Sequence, residues 1–199
     1  MKLIITLCCL AIFLTASAQQ NKEFGIAATN SNSAYPFSKF GGLFQSPFHP
    51  GIELGYGFNW TTKAKHDWFQ QIKPGYFYHR FVQHGITLYT NLGYRYKFSP
   101  HLFTEAALGA GYLHSIPATA QCKLSSNGEY QNGKGIGRMQ AMVVFNISAG
   151  YTFNPATKKP ISVFATYQQY IQTPFVKSYV HLLPYNCLTI GARMRLKKK

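Results

Sequence analysis

The feature that most constrains this chain is an alternation of apolar and polar residues that recurs in one segment after another. It is clearest in Arg138–Asn154, where every odd-numbered position from Met139 to Phe153 is apolar and most even-numbered positions are polar. Because successive side chains of a β-strand point to opposite faces, this pattern predicts strands with one apolar and one polar face. Helical periodicity is nearly absent from the same part of the chain.

The alternation predicts eight strands. They are Lys22–Asn30, Gly51–Trp60, Trp68–Arg80, Gly85–Ser99, Leu102–Ile116, Arg138–Asn154, Ile161–Phe175 and Asn186–Leu196. Several match the roughly 9 to 11 residues that a tilted strand needs to cross a bilayer. An even number of antiparallel strands can close on itself, which leaves no unpaired backbone edge in lipid. We therefore predict an all-β fold, an eight-stranded antiparallel up-and-down transmembrane β-barrel formed by residues 19–199.

The composition favours a membrane barrel over a soluble β-sandwich, which is the alternative. Charged residues make up 13% of the chain and aromatic residues 16%, whereas a soluble domain carries about 25% charged residues. The 20 Lys and Arg residues outnumber the five acids, which gives a formal charge of +15. No nucleic-acid-binding motif accompanies this charge, so we expect no nucleic-acid partner. We expect outer-membrane lipid and lipopolysaccharide as anionic partners, with most bases in the lumen and at the strand ends.

The first residues have the pattern of a secretory signal peptide. Lys2 precedes an apolar run, Leu3–Leu14, and Ala16 and Ala18 occupy the two positions that a signal peptidase recognises. We therefore predict that residues 1–18 are a signal peptide cleaved near Ala18. A lipoprotein signal at Cys8 is a weaker alternative, because Leu7 stands where a small residue is expected.

The connections between the predicted strands alternate between short and long. Short links at 61–67, 99–101 and 154–160 fall on one side, and long links at 31–50 and 117–137 fall on the other. Barrels of bacterial outer membranes place short turns in the periplasm and longer loops outside. The sequence therefore predicts a Gram-negative outer-membrane location with both termini in the periplasm.

A three-residue turn at Ser99–His101 fixes the register of the two flanking strands. It pairs Phe98 with Leu102 and places Arg95 opposite Glu105 on the inner face, where opposite charges stabilise a cross-strand pair. The predicted polar lumen network comprises Glu53, Lys73, Arg95, Lys97, Glu105, Arg138, Arg193 and Arg195. Because the interior of eight strands is just wide enough for side chains to fill, we expect these residues to plug the lumen. A narrow anion-selective path is the alternative.

Two further features concern the surface and the loops. A girdle of outward-facing aromatic residues is predicted to comprise Trp60, Trp68, Phe98, Tyr151 and Phe153. Cys122 in a long outer loop and Cys187 near the outer end of the last strand could form a disulfide in an oxidising compartment.

An enzymatic site has only weak candidates in this sequence. Several histidines fall near the outer rim, and the nearest catalytic constellation is His114 and Ser115 with Glu53. Acids are too scarce to orient a base convincingly, and no spacing resembles a zinc site. We therefore predict no catalytic residues, no metal and no cofactor.

The signal peptide, the eight alternating segments and the sorted connections resemble the small outer-membrane barrels typified by the OmpA transmembrane domain and OmpX. The segment His49–Tyr56 is similar to barrels of Bacteroidetes type. The lipid A deacylase barrels carry a His-x-Ser-Asn motif, and the sequence contains no His-x-Ser.

These observations predict a small non-enzymatic outer-membrane barrel with a side-chain-filled lumen. Its expected role is structural, or an interaction of its outer loops with a protein partner. The alternatives are a lipid A-modifying hydrolase or acyltransferase and a narrow anion-selective channel.

Overall fold

The computed structural model describes residues 21–35, 43, 47–119, 121–124, 127–128, 130–133, 135–175 and 180–196. The predicted signal peptide, residues 1–18, lies outside this range. No helix in the described part of the chain is long and apolar enough to cross a membrane.

The described residues form ten β-strands. They are β1 (Lys22–Ser33), β2 (Pro50–Thr62), β3 (His66–His79), β4 (Gln83–Lys97), β5 (Leu102–Pro117), β6 (Gln121–Leu124), β7 (Tyr130–Gly133), β8 (Arg138–Phe153), β9 (Ile161–Thr173) and β10 (Leu183–Leu196). Eight of them close into a barrel in the order β1-β10-β9-β8-β5-β4-β3-β2, and every neighbouring pair is antiparallel. The predicted closed eight-stranded antiparallel barrel is confirmed.

Strands β6 and β7 form a separate two-stranded sheet that the alternation did not predict. They lie in the connection between β5 and β8 and pair from Gln121 with Gly133 to Leu124 with Tyr130. Each has only four residues, which is too short for a period of two to be recognised.

The two ends of the barrel differ in their connections. At the turn end lie the short connections 63–65, 98–101 and 154–160; at the loop end lie the connections from β1 to β2 and from β5 to β8. The register predicted across the β4–β5 turn is confirmed. The Phe98 N–H donates to the Leu102 carbonyl at 3.0 Å, and Arg95 lies opposite Glu105.

The outer surface of the barrel is apolar on all eight strands. The large exposed side chains include Phe24, Ile26, Ile52, Leu54, Ile72, Tyr76, Ile86, Leu88, Leu92, Leu102, Leu108, Tyr112, Val143, Ile147, Ile161, Val163 and Ile190. Alternate residues point into the lumen, where most of the buried polar side chains lie. This arrangement inverts that of a soluble β-protein, whose apolar side chains face a core.

Glycines let the lumen accept large rings. Inward-facing phenylalanines lie directly across from a glycine on the neighbouring strand in the pairs Phe69 with Gly93, Phe77 with Gly85 and Phe103 with Gly150. A Cβ atom at any of these glycines would overlap the ring. The ring of each pair therefore occupies the volume that a second side chain would need.

Candidate functional site

The half of the lumen nearest the turn end holds an ionic cluster. We define it as Glu23, Asp67, Arg95, Lys97, Glu105, Arg193 and Arg195. Arg95 lies at its centre and is 1% exposed. Its two terminal nitrogens donate to the Glu23 carboxylate at 2.7 and 2.8 Å, and its Nε donates to Glu105. One guanidinium on β4 thereby joins carboxylates on β1 and β5.

The other bases of this cluster lie on β10 and β4. Arg193 Nη1 donates to Glu105 Oε2 at 3.0 Å, and Arg195 Nε donates to Glu23 Oε1 at 2.7 Å. Lys97 Nζ lies 2.7 Å from Asp67 Oδ1. Each carboxylate is therefore paired with at least one base, which offsets the cost of burying it.

Aromatic rings inside the lumen lie against this cluster. The Arg95 guanidinium lies 5.0 Å from the centre of the Phe69 ring and 5.5 Å from that of Phe103. Arg193 lies 4.7 Å from the Phe103 ring centre. These distances are those of cation–π contacts, so the phenylalanines that lie across from glycines also stabilise the buried charges.

A second polar group lies in the middle of the barrel. Lys73 Nζ donates to Glu53 Oε1 at 2.7 Å, and the Tyr89 hydroxyl donates to the other oxygen of Glu53. Gln168 Nε2 in turn donates to the Tyr89 hydroxyl at 3.0 Å. This chain of contacts links β2, β3, β4 and β9 across the lumen.

The half of the lumen nearest the loop end holds an apolar cluster instead. We define it as Phe77, Tyr89, Leu113, Met142, Val144, Tyr170, Tyr185 and Cys187. The Tyr170 and Tyr185 rings stack with centres 4.8 Å apart. Sequence reasoning missed this cluster, although Met142 and Val144 interrupt the polar face of β8 and could have signalled it.

Polar side chains close the lumen beyond the apolar cluster. Gln83 Nε2 donates to Gln172 Oε1 at 2.8 Å, and the Ser115 hydroxyl donates to Gln83. The rings of His49 and His79 stack with centres 3.7 Å apart. Side chains therefore occupy the described lumen at every level between the turn end and the loop end.

The predicted lumen residues are distributed over this interior with one exception. Glu53, Lys73, Arg95, Glu105 and Arg193 are buried inside, and Lys97 and Arg195 are 19% exposed near the turn end.

The exception is Arg138, and its assignment to the lumen network is wrong. Its position lies at the start of β8 on the loop-end rim, and its exposed guanidinium donates to the Phe175 carbonyl at 2.9 Å. At a strand terminus the alternation no longer forces a long side chain into the interior.

Two members of the ionic cluster were not predicted. Glu23 precedes the outward-facing Phe24, and Asp67 precedes the outward-facing Trp68. Because neighbours in a strand face opposite sides, this alternation was the signal that could have placed both acids in the lumen.

The weak catalytic candidates are not brought together. His114 and Ser115 are adjacent on β5 and therefore point to opposite faces of the barrel wall. His114 contacts the Tyr112 hydroxyl and the Ile136 carbonyl on the outside, whereas Ser115 is buried inside. Glu53 is engaged by Lys73 and Tyr89 in mid-lumen. Among the described residues, no three His, Cys, Asp or Glu side chains are grouped to hold a metal ion.

The disulfide considered from the sequence is corrected by the structure. Cys187 is a free thiol, 4% exposed, and its Sγ lies 3.8 Å from Thr189 Oγ1 on the inner face of β10. Cys122 lies in β6, and its side chain lies outside the described residues. The alternation of β10 turns Cys187 into the lumen, away from the loops.

The predicted aromatic girdle residues all lie on the outer surface near the turn end. Trp60, Trp68, Phe98, Tyr151 and Phe153 are between 38% and 65% exposed. Several contact other rings. Trp68 packs edge-on against Tyr94, with ring centres 5.3 Å apart.

Comparison with known proteins gives similarity only at the level of solved structures. No protein-family model matches the chain, and no curated protein matches it. Neisserial surface protein A is 10% identical with a TM-score of 0.48, over 88% of this chain and 96% of that one. Ail of Yersinia pestis is 15% identical with a TM-score of 0.45, over 89% and 97%. OprG of Pseudomonas aeruginosa, an outer membrane protein, is 11% identical with a TM-score of 0.39, over 92% and 98%.

Proposed function

We propose that this chain is a non-enzymatic outer-membrane barrel with a closed lumen, whose role is structural or depends on its loop end contacting a partner. The observation that carries the proposal is the pairing of an apolar outer wall with a polar and filled interior. An exposed apolar belt on all eight strands is unfavourable in water and favourable in lipid. The closed sheet leaves no backbone edge unpaired in that lipid.

Heat-modifiability combined with fractionation tests the membrane assignment. The protein would be expressed with its predicted signal peptide and recovered from separated envelope and soluble fractions. We expect it in the outer membrane, with a gel mobility in SDS that shifts on boiling, because a closed barrel resists SDS until heated. Recovery from the soluble periplasm without a shift would instead indicate a soluble β-sandwich.

Conductance separates the closed barrel from the anion-selective channel. The apolar cluster and the Gln83–Gln172 contact fill the loop-end half of the lumen, so an ion would have to cross a zone of buried aromatic rings. We expect no stable unitary conductance when the folded protein is inserted into a planar bilayer. Steady anion-selective openings would overturn the closed-lumen proposal and support the channel.

A lipid A mass spectrum tests the hydrolase or acyltransferase alternative. We expect identical lipid A from cells with and without the protein, because His114 and Ser115 face opposite sides of the barrel wall. A new lipid A species that disappears in His114→Ala would establish an activity and contradict the non-enzymatic assignment.

Exposed apolar side chains at the loop end support a partner surface there. Tyr35 is 81% exposed, Phe48 64% and Ile136 91%.

The orientation of the barrel in the membrane is tested in a Cys122→Ser, Cys187→Ser background by labelling intact cells with a membrane-impermeant maleimide. We expect Gly128→Cys, between β6 and β7, to react and Ala64→Cys, in a short turn, to be protected. The reverse pattern would put the loop end in the periplasm.

A further inference from the structure

The acids that the structure describes lie inside the barrel and not on its surface. Four of its five Asp and Glu residues lie in the described part of the chain. All four are buried in the lumen, with Glu23 at 3%, Glu53 and Glu105 at 7% and Asp67 at 0% exposure. Each is within an ion pair. None is therefore placed to neutralise a base on the outside.

Among the side chains that the structure describes, the exposed bases are concentrated at one end. Seven Lys and Arg side chains are exposed among the described residues, and five of them lie at the turn end. These five, Lys22, Lys63, Lys65, Lys158 and Lys159, are called the basic rim; the other two, Arg80 and Arg138, lie at the loop end.

The basic rim lies next to the aromatic girdle. Lys63 follows Trp60 by three residues, Lys65 precedes Trp68 by three, and Lys158 follows Phe153 by five. Exposed Trp and Tyr occupy the boundary between hydrocarbon and headgroups in membrane barrels. Long basic side chains immediately beyond that boundary reach the level of the lipid phosphates.

The ionic cluster adds to this positive end. It contains four bases and three acids, and its Lys97 and Arg195 side chains are each 19% exposed. Both line a cavity of about 230 Å³ at the turn end, together with Arg95, Ser99 and Thr152. The mouth of the lumen therefore has the same sign of charge as the rim around it.

We propose that the basic rim binds the anionic phosphate headgroups of the bilayer leaflet at the turn end, and that the barrel gathers anionic lipid around that end. This inference rests on the proposed function, since it requires the barrel to span a bilayer. Charge complementarity supports it, because each Lys near an anionic membrane surface is attracted to it within a Debye length. The continuity of the rim with the aromatic girdle places the lysines where these phosphates lie.

The chain carries its own reporter for this test. It has only two tryptophans, and both, Trp60 and Trp68, flank the turn that contains Lys63 and Lys65. The folded barrel would be placed in zwitterionic vesicles containing a minor fraction of brominated lipid, either phosphatidylglycerol or phosphatidylcholine. Bromine quenches tryptophan on contact, so the ratio of the two quenching efficiencies measures the preference for anionic lipid beside the rim.

We expect brominated phosphatidylglycerol to be favoured by at least about twofold at low salt, and the preference to fall as ionic strength rises. The double substitution Lys63→Gln, Lys65→Gln should bring the ratio close to that of a neutral surface. Lys158→Gln, Lys159→Gln tests the turn between β8 and β9 and should lower the ratio less, because that turn lies across the barrel from the two tryptophans. The matched control Arg80→Gln, Arg138→Gln removes two exposed bases at the loop end and should leave the ratio unchanged.

The outcomes separate this inference from the function on which it rests. Equal quenching by the two lipids in the wild-type protein, or an equal loss in the loop-end control, would overturn the inference while leaving the barrel in the membrane. Failure of either lipid to quench would show that the tryptophans do not meet lipid, which overturns the proposed function itself. A preference abolished by inorganic phosphate but not by chloride at equal ionic strength would indicate a free-phosphate site and would also overturn the inference.

Discussion

The two halves of the lumen are filled by different chemistry within one continuous barrel. Toward the turn end, the ionic cluster joins strands through charged contacts such as those of Arg95 with Glu23 and Glu105. Toward the loop end, the apolar cluster packs rings and aliphatic side chains, with Leu113 and Val144 both 0% exposed. Ionic filling depends on complete pairing, whereas apolar filling depends on volume. The same strand alternation therefore supports two kinds of interior.

The largest expected effect comes from removing the central base of the ionic cluster. Arg95→Met leaves Glu23 and Glu105 short of a partner, and breaking a buried pair in this way costs about 3–5 kcal/mol. Urea-induced unfolding in lipid vesicles, followed by tryptophan fluorescence, measures the loss. Adding Glu105→Gln should recover part of it, because one unpaired carboxylate is removed. If Arg95→Met alone is as stable as wild type, the ion pairs between β4 and β5 do not stabilise the turn-end half of the barrel.

The apolar cluster should respond to lost volume. Leu113→Ala removes a fully buried side chain, and such changes cost roughly 2–5 kcal/mol depending on how far the cavity collapses. The matched control is Leu108→Ala on the same strand, which is 63% exposed on the outer face and should cost less than about 1 kcal/mol. Equal losses in the two variants, measured by the same unfolding experiment, would contradict the assignment of Leu113 to a packed interior.

A methyl group added inside the lumen should lower the stability of the barrel more than the loss of an exposed arginine at the loop-end rim. Gly85→Ala places a methyl group against the Phe77 ring, and overpacking of this kind costs roughly 1–3 kcal/mol. At Gly55 the nearest atom would lie 4.0 Å from an added Cβ, so Gly55→Ala should be close to neutral. Comparing the two urea midpoints checks this, and the proposed packing fails if Gly55→Ala is the more harmful change.

The smallest effect is expected for an arginine outside the ionic cluster. Arg138 is exposed and donates to the Phe175 carbonyl at 2.9 Å. Surface substitutions of this kind usually change stability by less than about 0.5 kcal/mol. Comparing Arg138→Met with Arg95→Met therefore shows whether the loss of stability depends on the burial of the arginine or follows from removing any arginine. A loss as large as that of Arg95→Met would remove the distinction between the two environments.

The sequence predicted the barrel well because alternation is a local property. Eight strands, their antiparallel closure and the pairing of Arg95 with Glu105 all follow from a period of two and from one three-residue turn. The same reasoning failed at one strand end, where Arg138 is exposed and does not join the buried network. It also failed to predict the short strands β6 and β7.

The interior was predicted less completely than the wall. A charged residue on the polar face of a strand is readily predicted to lie in the lumen. An apolar residue on that face, such as Met142, shows only that the polar pattern is interrupted and does not show which side chains it packs against. Which inward side chains meet across the lumen depends on the stagger between distant strands. The contact of Gln83 with Gln172, 89 positions apart, is of this kind and leaves no local signal.

The ionic cluster ties the first strand of the barrel to the last. Arg193 and Arg195 belong to β10, which pairs with the whole length of β1, from Lys22 opposite Leu196 to Ser33 opposite Tyr185. Before β10 docks, the three acids of the cluster face only Arg95 and Lys97; afterwards they face four bases. Closure of the wall and the full pairing of the interior carboxylates are thus the same event. A barrel that lacks β10 would hold three buried acids against two bases, so we expect such a form to be less stable than the closed barrel.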